Sequence, residues 1–243
     1  MLLGGCIGDS SRIIEAARDY KYLLNRGYPA SSSLDMVVSR YQMSRIERSL
    51  LLRCVHRDEY VAKVLRSIVP REAVSGSNLL IDLLNVSTTL IAFLEGGCLY
   101  RCDDGIIRDL GGSRYWRGKR ERALEAVNLI RDHLIAVKPI KIYLVLDRLA
   151  PMSGEILKHA EEIFRSSGFK VEGILADRAD REIIELSKTI EGSMGVVATS
   201  DSLILEKVDR IYDLAGEIIT SIDPSRVDKS IYAELSQSID YRA

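Results

Sequence analysis

The most constraining feature of the sequence is a series of short apolar runs that each end in an aspartate. Helical patterns separate these runs, over 86–95, 117–136, 153–167, 178–191 and 202–207. Short, uniformly apolar strands that alternate with amphipathic helices are typical of βαβ units around a parallel sheet buried on both faces. The runs are 79–81, 141–146, 171–176, 195–200 and 210–212, and the aspartates are Asp82, Asp147, Asp177, Asp201 and Asp213. We therefore predict an α/β fold.

A helical segment precedes this pattern. Apolar residues spaced three and four apart predict helices over 12–24, 34–41 and from Arg45 to about Leu65. Residues 1–72 contain 12 Lys and Arg against 8 Asp and Glu, whereas the remainder has an acidic excess, and the net charge of the chain is −1. Pro70 and the polar stretch 75–78 predict a boundary. We expect a small basic all-α domain over 1–72, an α/β domain over 77–222 and a C-terminal helix over 223–243.

Two of the predicted N-terminal helices are joined by a tight turn, which gives them the outline of a helix-turn-helix. Arg45, Arg48 and Arg53 on the second of them are candidates for contacts with nucleic-acid phosphates. The alternative is that these arginines form a solvated helix face.

The aspartates suggest a chemistry because the carboxyl ends of parallel strands meet at one edge of the sheet, where ligands bind. Unpaired carboxylates so close together repel each other and shift each other's pKa values. A hard divalent cation relieves this repulsion, and oxygen ligands suit Mg²⁺ or Mn²⁺. Such a site hydrolyses phosphate esters by activating water and neutralising charge on the phosphate. The alternative for any single aspartate is a helix N-cap.

Four motifs resemble those of PIN-like nucleases, in the branch whose first motif is Asp-x-x-Asn. Residues 80–86 (Leu-Ile-Asp-Leu-Leu-Asn-Val) resemble the first strand and turn, and 143–147 the middle acidic strand. Residues 179–184 are similar to the acidic helix start before the fourth strand. Residues 196–202 resemble the last motif, in which Thr or Ser precedes a metal-binding Asp. Their order and spacing hold over about 79–215.

This resemblance implies a PIN-like fold, a Mg or Mn cofactor and endonuclease activity, usually on RNA. It implies that four aspartates bind the metal, with Asn85 orienting the first carboxylate or the substrate and Thr199 supporting the last. The four are Asp82, Asp147, Asp180 and Asp201, with Asp177, Asp104 and Asp109 as alternates. Asp177 competes with Asp180 because it directly ends its strand, whereas Asp180 fits the family's helix pattern better.

The whole chain also resembles a family of uncharacterised archaeal proteins in which a small N-terminal domain precedes a PIN-like one. The residues that carry this resemblance are 18–29, 40–41 and 102–109. It supports the two-domain architecture and brings no established activity.

The stretch 98–122 differs from an ordinary nuclease of this class. Asp103-Asp104-Gly105 lies between two apolar runs, which predicts a β-hairpin. Aromatic residues interleaved with cations, as in the stretch that follows, are typical of surfaces that bind single-stranded nucleic acid. The candidates for such contacts are Arg114, Trp116, Arg117, Lys119 and Arg120. The alternative is a surface hairpin followed by a helix with a charged first turn.

Several absences narrow the compartment and the class of protein. The sequence has no apolar run of about 18 residues, so no membrane span is expected. Four cysteines are too few for a disulfide framework, so we expect small buried thiols in a reducing cytoplasm. No nucleotide-binding glycine loop or acyl-hydrolase motif is present.

The hypothesis from the sequence is a metal-dependent endoribonuclease, with RNA favoured over DNA as its partner. Two alternatives stay open: a non-catalytic nucleic-acid-binding or regulatory protein on a PIN-like scaffold, and a small-molecule phosphohydrolase. A homo-oligomer is compatible with all three.

Overall fold

The computed structural model of the chain describes residues 10–116, 118–190 and 195–236. The helices are α1 (Ser10–Asn25), α2 (Ala30–Arg40), α3 (Arg45–Cys54), α4 (Asp58–Ser67), α5 (Leu83–Leu94), α6 (Arg120–Val137), α7 (Ser153–Ser166), α8 (Ala179–Thr189), α9 (Ser202–Leu205), α10 (Leu214–Ile222) and α11 (Ser230–Leu235). The strands are β1 (Asn78–Asp82), β2 (Leu99–Arg101), β3 (Ile107–Asp109), β4 (Lys141–Asp147), β5 (Val171–Ala176), β6 (Val196–Ala198) and β7 (Val227–Asp228).

The main sheet confirms the predicted α/β fold. Its four strands are parallel, in the order β5-β4-β1-β6. The fifth apolar run contributes an isolated bridge at Ile211, which pairs with Val197 and with Ile68. β1 lies in the middle of the sheet and its apolar residues are fully buried, so the residue at its carboxyl end, Asp82, is held by a rigid support.

A second, smaller sheet has the order β3-β2-β7. β2 and β3 form the predicted antiparallel hairpin, and Gly105 takes a positive φ of 85° in the turn that joins them. β7 pairs in parallel with β2, so the C-terminal segment contains a short 3-10 helix (Pro224–Arg226) and a strand before its α-helix, which starts only at Ser230. Residues 237–243 of the helix predicted over 223–243 lie outside the described residues.

The N-terminal helices pack on the α/β part of the chain. One apolar cluster joins Leu50 and Leu51 of α3 with Tyr100 of β2 and Ile231 of α11. The surface hairpin suggested as an alternative is therefore wrong, because Asp103, Asp104, Arg108 and Asp109 at its tip and second strand are buried.

The helix predicted from Arg45 to about Leu65 is interrupted at residues 55–57. A capping box of Ser44 and Glu47 starts α3, and the chain leaves the helix after Cys54. There the backbone N–H of Asp103 donates to the Cys54 carbonyl, and the N–H of His56 donates to the Asp103 carboxylate. Contacts with the hairpin thus replace continuation of the helix.

The cysteines at the contact between α3 and the hairpin differ from the expected free thiols. Cys54 and Cys102 are both buried, as expected, but they form a disulfide that links the end of α3 to the hairpin. The cysteine count therefore gives no support for a reducing compartment. Within the described residues, no helix has both the length and the apolar character that crossing a bilayer requires.

Candidate functional site

Asp82 lies at the centre of the candidate site. Its carboxylate is 3% exposed, and one oxygen, Oδ2, accepts hydrogen bonds from Asn85 Nδ2 at 2.7 Å and Thr199 Oγ1 at 2.8 Å. The other oxygen accepts from the backbone N–H of Asn85 at 3.3 Å, which makes Asp82 the N-cap of α5. The predicted roles of Asn85 and Thr199 as supports of a carboxylate agree with this geometry, although Thr199 supports the first carboxylate directly.

Asp201 is the second carboxylate of the site. Its strand, β6, is the neighbour of β1, and its side chain caps α9 through the backbone N–H of Leu203 at 2.8 Å. The backbone N–H of Asp201 donates to Thr199 Oγ1 at 3.1 Å, so one threonine connects both carboxylates. The pKa of Asp82 is raised to about 6, mainly by burial and to a smaller extent by the charge of Asp201, against the lowering effect of its hydrogen bonds.

A cleft of about 260 Å³ opens beside these residues, between α3 and the carboxyl edge of the sheet. Asn85, Ser200 and Asp201 line it from the α/β domain. Arg53 and His56 line it from the N-terminal domain. The cleft is therefore built by both parts of the chain.

Arg53 is the cation of this cleft that has unused hydrogen-bonding capacity. Its guanidinium lies 3.8 Å from the buried carboxylate of Asp109, and burial lowers its pKa while Asp109 opposes this. Within the described residues, Arg53 Nε is buried without a hydrogen-bond partner. A buried polar atom without a partner is uncommon in a folded protein, and it is compatible with a binding role for Arg53.

Arg108 closes another side of the cleft and is engaged internally. It forms two hydrogen bonds to Asp104, at 2.8 and 2.6 Å, and its Nε donates to the Ser200 carbonyl at 2.9 Å. Although burial alone would raise the pKa of Asp104, the Arg108 guanidinium holds it below its ordinary value. Asp104 is therefore a partner of Arg108 and is a poor candidate for the alternate metal ligand that the sequence suggested.

One group of three possible ligands in the described chain, His56, Asp103 and Asp104, has atoms close enough to share a metal ion. Its atoms already have protein partners. Asp103 accepts from His56 Nδ1–H at 2.8 Å, from the backbone N–H of His56 and from Lys21 Nζ at 2.9 Å. Because Lys21 and Arg108 supply the positive charge that a cation would supply, we interpret this group as an internal ion network.

The other predicted carboxylates lie apart from Asp82. Asp147 ends β4 but accepts the backbone N–H of Leu149 in its own loop. Asp177 follows the edge strand β5 and Asp180 lies in the first turn of α8, and they form ion pairs with Arg148 and Arg178 respectively. Among the described residues, no three of the predicted carboxylates have ligand atoms within 4.8 Å of one another. Asp109, which accepts from the backbone N–H of Gly111 at 2.7 Å, lies closer to the cleft through its contact with Arg53.

The predicted basic surface is dispersed. Arg45 is exposed, Arg48 pairs with Asp35 and only Arg53 of the three faces the cleft. In the second stretch Arg114 is exposed, Lys119 pairs with Glu95, Arg120 pairs with Glu155 and Arg117 lies outside the described residues.

Trp116 is the clearest correction among the predicted nucleic-acid contacts. Its side chain is 1% exposed within the main core, and its indole N–H donates to the Pro151 carbonyl at 2.9 Å. It therefore stabilises the fold and cannot stack on a base.

Five residues that line the cleft are not among the predicted site residues: Leu52, His56, Arg108, Ser200 and Ser202. His56 and Arg108 are the two of them with ionisable side chains. His56 lies in the interruption between α3 and α4, where the apolar spacing predicts continuous helix. The available signal was Asp58-Glu59, an acidic pair that is typical of a first helical turn and therefore of a new helix start. Arg108 gave no such signal, because a charged residue next to apolar residues in a hairpin strand is typically exposed.

Two family models match the chain, one over the N-terminal helices and one over most of the α/β part. Residues 12–67 match a family described as a protein of unknown function (DUF434), and residues 71–217 match a domain of unknown function (DUF5616). The chain is 31% identical over 210 residues to Uncharacterized protein MJ0935 of Methanocaldococcus jannaschii, covering 85% of this chain and 96% of that protein. No solved structure matches the chain. The chain therefore belongs to the family defined by the DUF5616 domain.

Proposed function

We propose that this protein is a metal-dependent endoribonuclease whose site is the cleft between α3 and the carboxyl edge of the main sheet. The observation that carries this proposal is the pairing of a buried, hydrogen-bonded Asp82 with Asp201 opposite Arg53, whose Nε has no partner among the described residues. Two carboxylates with an amide and a hydroxyl beside them suit a hard cation, and the arginine suits the phosphate. The PIN-like character of the domain belongs to the same proposal.

The donor set fits one Mg²⁺ or Mn²⁺ ion better than a cluster of four carboxylates. Mg²⁺ is commonly bound by one or two carboxylates together with substrate phosphate and water. Asp82 and Asp201 would be those two carboxylates, and the side-chain oxygen of Asn85 would be a further ligand. When bound, the ion would supply an activated water and would neutralise charge on the phosphate.

The side chains of the chain itself have distinct tasks in this proposal. Asn85 and Thr199 hold the Asp82 carboxylate in one orientation, which fixes where its lone pairs point. Arg53, which lines the cleft and whose side chain is 29% exposed, binds a non-bridging phosphate oxygen through its terminal N–H groups. His56 is held by its Nδ1–H hydrogen bond to Asp103, so that its Nε2 is the ring nitrogen available to the cleft.

A non-catalytic nucleic-acid-binding protein is the second candidate. The observation that favours it is the engagement of Asp147, Asp177 and Asp180 in contacts of their own, which leaves two carboxylates at the cleft. This candidate predicts RNA binding that is unaffected by Mn²⁺.

The test is cleavage of an end-labelled single-stranded RNA by wild type, Asp82→Asn and Asp201→Asn with Mn²⁺, with Mg²⁺ and with EDTA. Asp177→Asn is the matched control, because it removes an exposed carboxylate from the same edge of the sheet. We expect cleavage by wild type and the control, and loss of at least a hundredfold in both other variants. Equal cleavage by all four proteins, or none by wild type, contradicts the proposal.

A further inference from the structure

The cleft continues into a second cavity that the proposed function leaves without a role. This cavity has a volume of about 420 Å³, within the range of about 300–1,000 Å³ that is common for small-ligand sites. Leu52, His56 and Ser202 line both the cleft and the cavity. The two spaces therefore adjoin, and the segments 52–57 and 202–206 contribute walls to both of them.

The two spaces differ in their aromatic and aliphatic content. The cleft presents mainly charged, amide and hydroxyl side chains, whereas the cavity combines tyrosine rings and leucines with the polar side chains of His56, Arg57, Ser202 and Glu206. The rings are Tyr20, Tyr28 and Tyr60, and the leucines are Leu24, Leu52 and Leu203. A polar site for phosphate beside an aromatic and aliphatic cavity matches the two halves of a nucleotide.

The mouth of the cavity is unusually apolar for a water-facing surface. Tyr28, Leu52 and Leu203 are each more than half exposed, and all three line this one cavity. Single exposed apolar side chains need no explanation, but several around one cavity mark a surface that binds something.

The walls of the cavity are fixed in place before a ligand arrives. The His56 ring stacks on Tyr60 with centroids 4.6 Å apart, and its Nδ1–H is tied to Asp103. Across the rim, Arg57 of the N-terminal domain pairs with Glu206 after α9. Gly27, with a φ of 78°, makes the turn that brings Tyr28 beside this opening. A rigid aromatic wall lowers the entropy cost of stacking a planar ligand.

We propose that this cavity is a subsite for the nucleobase adjacent to the phosphate held in the cleft. The proposal rests on the proposed function and specifies its substrate class. The base must leave its own stack to enter the cavity, so the substrate is single-stranded or carries an unpaired nucleotide. Base–aromatic stacking accepts any base, which predicts weak sequence preference and strong preference for single strands.

The test is fluorescence anisotropy of a labelled single-stranded 12-nucleotide RNA in EDTA, where no hydrolysis takes place. Tyr28→Ala is expected to weaken binding at least about fivefold, the lower end of the effect of losing one base–aromatic stack. Tyr28→Phe keeps the ring and is expected to bind within twofold of wild type. Tyr22→Ala is the matched control, since Tyr22 is 58% exposed against 59% for Tyr28 but does not line the cavity.

A second probe, an abasic oligonucleotide of the same length, identifies what the cavity recognises. Wild type is expected to bind it more weakly than RNA, and Tyr28→Ala is expected to bind it as wild type does. Equal RNA affinity of wild type and Tyr28→Ala overturns the subsite, and so does a Tyr28→Ala defect that persists on the abasic probe. Binding in EDTA and cleavage in Mn²⁺ are separate readouts, so a Tyr28 effect without cleavage refutes only the nuclease. Cleavage without a Tyr28 effect refutes only the subsite.

Discussion

Replacing Asp82 by Asn tests the electrostatics of the site independently of any activity. The carboxyl group has an ordinary pKa of 3.8, and burial raises it to about 6 in the folded protein. The folded chain therefore holds this proton more tightly than the unfolded chain does. The contribution of Asp82 to stability is complete below about pH 4 and is lost as the pH rises through about 6.

The size of the effect follows from the shift. The pKa of Asp82 rises by a little more than two units on folding, and each unit corresponds to about 1.4 kcal/mol. Keeping the carboxylate charged in the folded protein at pH 8 therefore costs about 3 kcal/mol. At pH 4.5 the corresponding cost is about 1 kcal/mol. Asn carries no charge, so the stability of Asp82→Asn relative to wild type is expected to rise by about 2 kcal/mol from pH 4.5 to pH 8.

The assay is urea unfolding at pH 4.5 and pH 8 in EDTA, followed by repetition at pH 8 with Mn²⁺. The variant loses the 3.3 Å hydrogen bond from Asn85 N–H, but this loss is the same at both pH values and leaves the slope unchanged. Mn²⁺ is expected to stabilise wild type and not the variant, because binding to the folded state adds to stability. A stability difference that does not change with pH would refute the reasoning.

Asp213→Asn is the matched control for the metal effect. Burial raises the pKa of Asp213 to about 6 as well, but its oxygens accept backbone N–H groups of Ile107 and Gly216, and the charges that act on it are those of Arg101 and Arg108 and not that of Asp201. This variant is expected to keep the stabilisation by Mn²⁺. Loss of that response in both variants would show that Asp82 has no particular role in metal binding.

Three further predictions concern the domain interface and the core. Arg53→Gln is expected to weaken RNA binding three- to tenfold by anisotropy. Arg45 is exposed on the same helix, and Arg45→Gln is expected to change RNA binding less than twofold. Equal effects of the two substitutions would contradict the assignment of Arg53 to the cleft. Trp116→Phe is expected to lower the free energy of unfolding by about 1–3 kcal/mol with RNA affinity unchanged, and a loss of affinity without loss of stability would restore its predicted stacking role. Reduction of the Cys54–Cys102 disulfide, which spans 48 residues, is expected to lower that free energy by about 4 kcal/mol in urea unfolding, and no change on reduction would refute the link.

The centre of the site could be predicted from the sequence because it depends on local rules. Asp82 is the last residue of β1 and Asp201 follows β6 by three residues, and Asn85 and Thr199 are three and two residues from them along the chain. Parallel strands bring such ends to one edge, and β1 and β6 are neighbours. The proposed metal chemistry rests on these residue types together with the resemblance to PIN-like nucleases.

The remaining carboxylates could not be assigned in this way, because strand order and loop geometry decide their positions. Val145 pairs with Asp82, so Asp147 extends two residues beyond it and bonds to its own loop. Asp177 follows the edge strand β5, one strand further from β1, where solvent and Arg148 stabilise it.

His56 and Trp116 show a second limit, which is set by tertiary contacts. His56 faces the cleft only because Asp103, 47 residues away in sequence, interrupts the helix there. Trp116 lies among cations in the sequence, yet its ring fills the core beneath α7 and α5. Spacing along the chain carries no information about either contact.

The most direct test of the central claim is the binding of Mn²⁺ followed by electron paramagnetic resonance of the free ion. We expect one Mn²⁺ site in wild type that is lost in Asp82→Asn and in Asp201→Asn and kept in Asp177→Asn. Binding by Asp201→Asn that equals wild type would contradict the claim that these two carboxylates hold the ion.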